Sequence, residues 1–466
     1  MNTVLHKREF FILSVFLTVL MAFAFSGCDN GYNPGGCNGA YPTPTPTPGT
    51  TPDPTPNPNE PAEFQLSPYG KGYGNYVSSA HFRVYTRNTS TSSANKIMEH
   101  LEAVYKLFIT DWGFRTTGLS RMDPQNKGPY YKTDVVISPA LSMGGAAGLF
   151  HENEDTNCGW LEIGSPYVND VRVFVHEFGH VISLHQINWV EHPSCGAWWE
   201  TFANWVADTY MTSSYCKSGG YTLIDLAGAL DKVPGQSYVL IVNASGDTKY
   251  QNYYEAWPFF TYLTNNPDNY PTLGKTTLAK MNSVKLAIDE TPLQALERIA
   301  SPVSVQTILG RYWAHMAYMD IGHPMAQKVY FDQRGRLDFN NLDNYGSQTY
   351  RVKAARRPMY GGANIIPLRV TGSSVSVQVT NLGNGWPNSN FTATLAIRAS
   401  NGSVRYVDLP NGSGQATVGG NEEASLVVVN TPDALIKYNA FNSTANSEEK
   451  TGLNYEVRIT GATPTN

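Results

Sequence analysis

The segment Val171-Arg172-Val173-Phe174-Val175-His176-Glu177-Phe178-Gly179-His180-Val181-Ile182-Ser183-Leu184 is strongly apolar and reads as a buried helix. It carries two histidines four residues apart, His176 and His180, with a carboxylate, Glu177, beside the first. Imidazoles at i and i+4 share one helical face and can bind one Zn²⁺ together. Glu177 then reaches a metal-bound water without ligating the metal. A buried helix with incidental histidines would show the same five residues, so a third ligand has to decide. Glu200 supplies one. It lies near the start of a second helical stretch, Trp198-Trp199-Glu200-Thr201-Phe202-Ala203-Asn204-Trp205-Val206-Ala207-Asp208, for which Ser194 is the expected N-cap. The intervening loop contains Pro193 and Gly196 and can reverse the chain, returning Glu200 to the imidazoles. His176, His180 and Glu200 are therefore the expected ligands of one Zn²⁺ per chain, with the fourth position open as catalysis requires. Asn204, one turn past Glu200, and Asp208, two turns past it, are candidates to orient a ligand imidazole through its second ring nitrogen. Solvated helix residues would look the same.

This arrangement resembles the gluzincin metallopeptidases, whose thermolysin-type and aminopeptidase-N-type branches take the third ligand from a Glu on the next helix. Glu200-Thr201-Phe202-Ala203 is similar to the aminopeptidase pattern of a ligand Glu followed by Phe-Ala, with Trp199 where that pattern has Asn. Trp-Trp-Glu, Ala-Asn-Trp and a β-rich tail together most resemble a family of secreted HExxH proteins of unknown function. The likeness is specific over 176–210 and looser over 64–460. It implies hydrolysis of peptide bonds by a zinc-bound water, with Glu177 taking the water's proton and passing it to the leaving amine. It also implies a further donor to the developing oxyanion. In Tyr250-Gln251-Asn252-Tyr253-Tyr254-Glu255-Ala256-Trp257-Pro258, Tyr254 is similar to the aminopeptidase tyrosine that precedes a helix after the ligand Glu. With 28 tyrosines in the chain, an aromatic core residue is the competing reading. His315 and His323 are further candidates for that role, whereas His185 and His192 read as loop or surface residues. In gluzincins an edge strand ahead of the active helix binds substrate backbone, and Gly144-Gly145-Ala146-Ala147-Gly148 could permit such an approach or form a turn.

The elements expected to position these groups are strands, a helix, further strands and then helices, which suggests an α+β, gluzincin-like metallopeptidase domain over 63–355. His81–Tyr85, Thr133–Ser138 and Trp160–Ile163 read as strands, and Ser93 to Trp112 as a helix. The signals from Pro166 to Met319 are mainly helical. Beyond residue 355 the pattern changes. Ser374–Thr380 alternates with period two, and Phe391–Arg398, Ala424–Val429 and Tyr455–Ile459 also read as strands separated by Asn-Gly and Gly-Gly turns. Residues 356–466 are expected to form a separate β-sandwich without catalytic residues.

The N-terminus reads as a targeting segment. His6-Lys7-Arg8 precedes an apolar run from Phe10 to Phe25, shorter than the roughly 20 residues a membrane span needs. Phe25-Ser26-Gly27-Cys28 resembles a bacterial lipobox, with Phe25 where Leu is usual. Residues 1–28 would then be a lipoprotein signal peptide and Cys28 the lipidated residue, an ordinary signal peptide or membrane anchor being the alternative. Residues 29–62 are a Pro/Thr-rich tether of polyproline II character. The expected location is extracytoplasmic, tethered to a membrane by the lipid anchor only. Such a compartment permits one disulfide among Cys158, Cys195 and Cys216. Cys195–Cys216, bracketing the Glu200 helix, is the expected pair, with Cys158 the rival partner for either.

A formal net charge of −5 argues against a basic nucleic-acid-binding protein, and 41% hydrophobic residues against a disordered acidic chain. The expected function is a surface-tethered zinc metallopeptidase acting on extracellular proteins or glycoproteins; a narrower reading keeps the zinc and directs the fold to a carbohydrate-bearing host or matrix protein, as in enhancin-like mucin peptidases. The alternative is a metallopeptidase fold with little or no activity, kept as an adhesin or as a matrix- or glycan-binding module.

Overall fold

The computed structural model describes residues 60–465 except 142–143, 187, 190–191, 217–229, 231 and 245–249. The signal peptide, Cys28 and nearly all of the tether lie outside the described residues. The first sheet has five strands: β1 (Tyr76–Ser78), β2 (Phe82–Tyr85), β3 (Thr133–Ser138), β4 (Gly148–Asn153) and β5 (Cys158–Gly164), in the order β1-β2-β3-β5-β4. The central strands β2, β3 and β5 are parallel, and β1 and β4 are antiparallel edges. Two helices, α1 (Thr91–Tyr105) and α2 (Val171–Leu184), pack on the sheet. Val84, Val135 and Leu161 of the strands share one core with Ile97 and Leu101 of α1 and Phe174 and Phe178 of α2.

Ser90 caps α1 by accepting from the Ser93 N–H, and its apolar residues recur at helical spacing. The helix expected through Trp112 ends at Tyr105 and continues as a π-helical segment, Lys106–Asp111, in which Leu107, Phe108 and Ile109 are all buried. The widened turn thus buries three consecutive side chains. Helix α2 has the expected limits. Asp170 caps it, accepting from the N–H groups of Arg172 and Val173. Helix α3 (Trp198–Thr212) begins after Ala197, with no side-chain cap. Ser194 is therefore not its N-cap, and its hydroxyl donates instead to the Ile288 carbonyl. A short α4 (Lys232–Gly235) follows, then α5 (Trp257–Asn265), α6 (Thr277–Ser283), α7 (Pro292–Ala300), α8 (Val305–Met316) and α9 (Pro324–Gln333).

The expected Cys195–Cys216 disulfide is not formed, and both Cys158 and Cys195 are free thiols. The two cysteines of the expected pair lie beyond opposite ends of α3, a 15-residue helix about 22 Å long. A disulfide needs Cα atoms within roughly 7 Å, so a straight helix holds these positions apart.

The remaining strands are β6 (Leu342–Gly346), β7 (Thr349–Val352), β8 (Ala363–Val370), β9 (Ser374–Asn381), β10 (Phe391–Arg398), β11 (Val404–Asp408), β12 (Ser413–Thr417), β13 (Glu423–Asn430), β14 (Tyr455–Thr460) and β15 (Ala462–Pro464). They form two five-stranded sheets, β11-β10-β13-β8-β15 and β12-β9-β14-β7-β6. Ile366, Leu395 and Leu426 of the former share a core with Val377, Val457 and Ile459 of the latter. The opposite face of the former is also buried. Ile365, Ala396 and Val427 belong to the same core as the first sheet and pack with α8. This corrects two expectations. The strand set begins at Leu342, so a boundary at 356 would cut β7 from β14, its partner. The tail is also not separate, because one of its sheets is a layer buried on both sides. Its backbone joins the helical part directly, Met359 N–H donating to Tyr238 and Ala363 N–H to Ser237. The architecture is mixed α+β with three sheets. Among the described residues no helix is long and apolar enough to cross a membrane.

Candidate metal centre

Helices α2 and α3 lie side by side and approach closely at Gly179, within the five-residue motif. A Cβ there would stand 2.8 Å from the Ala203 Cα. This contact brings Glu200, in the first turn of α3, against the histidine face of α2. The Nε2 atoms of His176 and His180 are 3.2 Å apart. Glu200 Oε2 is 3.2 Å from the first and 3.3 Å from the second. These three residues form the one His/Cys/Asp/Glu group among the described residues whose ligand atoms could hold a metal ion.

The donor set fits zinc. A tetrahedral ion with ligands at about 2.0–2.1 Å spaces them about 3.3–3.4 Å apart, close to the sides of this triangle. Glu200 Oε2 is buried, and no protein group gives it a well-formed hydrogen bond. Such an atom calls for a cation. Burial alone would raise the Glu200 pKa, but His180 and His176 outweigh it and hold the carboxylate well below its usual range. Burial likewise opposes charge on His176, yet Glu200 and Glu177 hold its pKa above the usual imidazole value.

Asn204 orients His176. Its Nδ2 donates to the Tyr254 carbonyl at 2.7 Å, and a carbonyl can only accept, so the amide orientation is fixed. Its Oδ1 then faces His176 Nδ1 at 2.8 Å, so that nitrogen carries the proton and Nε2 presents a lone pair to the centre. Asp208 does not share this role. One turn further along α3, it pairs with His323 Nε2 at 3.1 Å, both side chains being buried.

Glu177 is buried, and burial raises its pKa above the ordinary carboxyl value against the pull of His176 and His180. Phe150 and Gly148 belong to the edge strand β4. The Phe150 ring stacks on His180 at 5.1 Å, and a Cβ on Gly148 would come within 2.7 Å of Glu177 Cγ. The glycine-rich segment thus divides: Gly144 and Gly145 lie in a turn, and Gly148 opens the edge strand.

Tyr254 lies at the centre. Its ring is nearly parallel to that of His176, at 6.4 Å, and Glu200 lies near its hydroxyl. Burial, with Glu200 nearby, pushes the phenol pKa far up, so the group stays protonated. The other histidines are elsewhere. His315 bonds Asp268 and the Asp320 carbonyl, and His323 bonds Asp208. His192 reaches the Ala287 carbonyl. His185, read as a loop or surface residue, is fully buried and accepts from the Gly159 N–H, and burial lowers its pKa to about 3. Phe150, Thr201 and the contact of Gly148 with Glu177 escaped the sequence reading, because contacts from a distant strand or loop leave no local pattern. Gly179 did leave a signal, since glycine inside a helix costs about 1 kcal/mol relative to alanine and needs a packing reason.

No curated protein matches this chain. One family model does match, over residues 69–466, a span that takes in all three sheets and every residue of the centre. The chain therefore belongs to DUF6055, a family of unknown function.

Proposed function

We propose that this protein is a zinc-dependent metallopeptidase of gluzincin type. In this reading the first sheet and the helices form the peptidase domain, and the two C-terminal sheets form a β-sandwich fused to it. Held outside the cytoplasm by a lipid on Cys28, it would act on extracellular proteins or glycoproteins. The observation that carries the reading is the triangle of His176, His180 and Glu200 with Glu177 beside it. Zinc held there would supply Lewis acidity and lower the pKa of a water ligand toward ~7. Glu177, its carboxyl raised by burial, is suited to take a proton from the attacking water and deliver it to the leaving amine. The protonated Tyr254 hydroxyl can donate to the developing oxyanion. Asn204 holds His176 in the tautomer that ligation needs. The antiparallel edge of β4 offers unpaired backbone to an extended peptide.

Metal analysis and a Glu177→Gln variant test this. The wild type is expected to carry one zinc per chain and to digest a peptide library, or a mucin-type glycoprotein, until a chelator is added. Glu177→Gln should keep the zinc and lose at least ~10²-fold in rate. A variant that cleaves as fast as wild type would refute the mechanism.

A further inference from the structure

One face of α3 does two jobs. Glu200 points to the metal centre, while Thr201 and Asn204 hold the segment that carries Tyr253 and Tyr254. Thr201, fully buried, donates its hydroxyl to the Tyr253 carbonyl at 2.6 Å. Asn204 donates to the next carbonyl, that of Tyr254, at 2.7 Å. The same Asn204 side chain accepts from His176 Nδ1 at 2.8 Å, and the Tyr254 ring lies nearly parallel to the His176 ring. Tyr254 is thus tied at its backbone to the group that supports one ligand, and its ring faces that ligand. The contacts form a chain from Glu200 through His176 and Asn204 to the Tyr254 backbone.

We propose that Asn204 is a positioning residue that makes metal binding and the placement of Tyr254 a single coupled event, with Thr201 as a second tie. The inference rests on the zinc-site reading above. Its core is the chemistry of the amide. A carboxylate at this position would accept from His176 Nδ1 at least as well, because charge-assisted bonds are the stronger ones. It has no proton for the Tyr254 carbonyl and would face that oxygen with another acceptor. Only an amide serves both neighbours. Once His176 is fixed by the metal, Asn204 is fixed with it, and the otherwise irregular segment ahead of α5 is anchored on α3. When the ligand set is empty, His176 is free to turn and this tie is weakened.

Hydrogen exchange on the full chain, with and without added zinc, reads this coupling without any substrate. The reporters are the Asn252, Glu255 and Ala256 amides, which are hydrogen-bonded within or beside the segment. In the wild type, zinc is expected to slow their exchange. Asn204→Asp should still bind zinc but lose this zinc-induced protection. Asn204→Ala should lose both, with zinc affinity falling about 10–100-fold. Thr201→Val, which leaves His176 untouched, should keep zinc and lose part of the protection, and Thr201→Ser should restore it. Wild-type protection in Asn204→Asp or in Thr201→Val would overturn the coupling. So would an Asn204→Asp protein that loses zinc as Asn204→Ala does. A wild-type chain that takes up no zinc would overturn the metal-site reading itself, an outcome distinct from zinc binding without coupling.

Discussion

Gly179 sits between the two histidines where any side chain would point at α3. Its missing Cβ is what lets the two ligand helices touch: a methyl there would meet the Ala203 Cα at 2.8 Å and the Val206 Cβ at 3.2 Å. The first of these is backbone, which cannot swing aside as a flexible side chain would. Gly179→Ala should therefore force α2 and α3 apart, despite the better helix propensity of alanine. Overpacking of this kind costs about 1–3 kcal/mol. Because Glu200 lies one turn from Ala203, zinc affinity should fall with stability. Denaturant unfolding and a zinc titration check this, and a variant as stable as wild type with unchanged affinity would contradict it. The same intimacy explains Glu177. Gly148 lies on its side chain, so burial sets its protonation behaviour.

At the scale of elements, the centre is a pair of helices joined by a loop, positioned by packing and not by a covalent staple. Helix α3 buries Trp198, Phe202, Trp205 and Val206 and needs no bridge to hold its ends. Cys195 is fully buried in the core, and desolvation pushes its thiol far above the usual range. It should therefore resist thiol reagents in the native protein. In denaturant without reductant it should label fully. Mass mapping of alkylated peptides gives the answer, and a Cys195 that labels only after reduction would show that a disulfide forms after all.

At the scale of the whole molecule, the C-terminal sheets are part of the body that holds the site. Helix α8 meets β10 so closely at Gly310 that a Cβ would come within 2.6 Å of the Thr392 hydroxyl oxygen. Trp313 on the same helix donates to the Gly361 carbonyl at 2.6 Å. Ending the chain after residue 355 would leave this apolar face uncovered and strip β7 of its partner β14. Such a truncation is expected to be insoluble or to unfold without a cooperative transition, as read by circular dichroism against temperature. A soluble, cooperatively folding, zinc-loaded fragment would overturn that expectation.

What the sequence determined by itself is what local periodicity and short-range chemistry determine. The limits of α2 followed from an apolar helical run, and β9, β10, β13 and β14 from period-two or apolar strand patterns. The metal triangle followed from i, i+4 imidazoles, a spacing that a helix puts on one face, and from a Glu at the start of the next helix after a loop able to reverse the chain. Asn204 and Asp208 were indistinguishable at that level, since each lies a whole number of turns from Glu200. Only the position of α2 against the first turns of α3 decided that Asn204 meets His176 and Asp208 meets His323. The contacts of Phe150 and Gly148 with the centre likewise depend on where an edge strand lands. The attachment of the tail was hidden for a related reason. In β13 the run Ala424-Ser425-Leu426-Val427-Val428-Val429 is apolar on both faces, which marks a strand with two burying layers but does not say what the second layer is. Tertiary structure supplied α8 and the segment at Ser237–Val242, and so turned an apparent separate module into a wall of the same core.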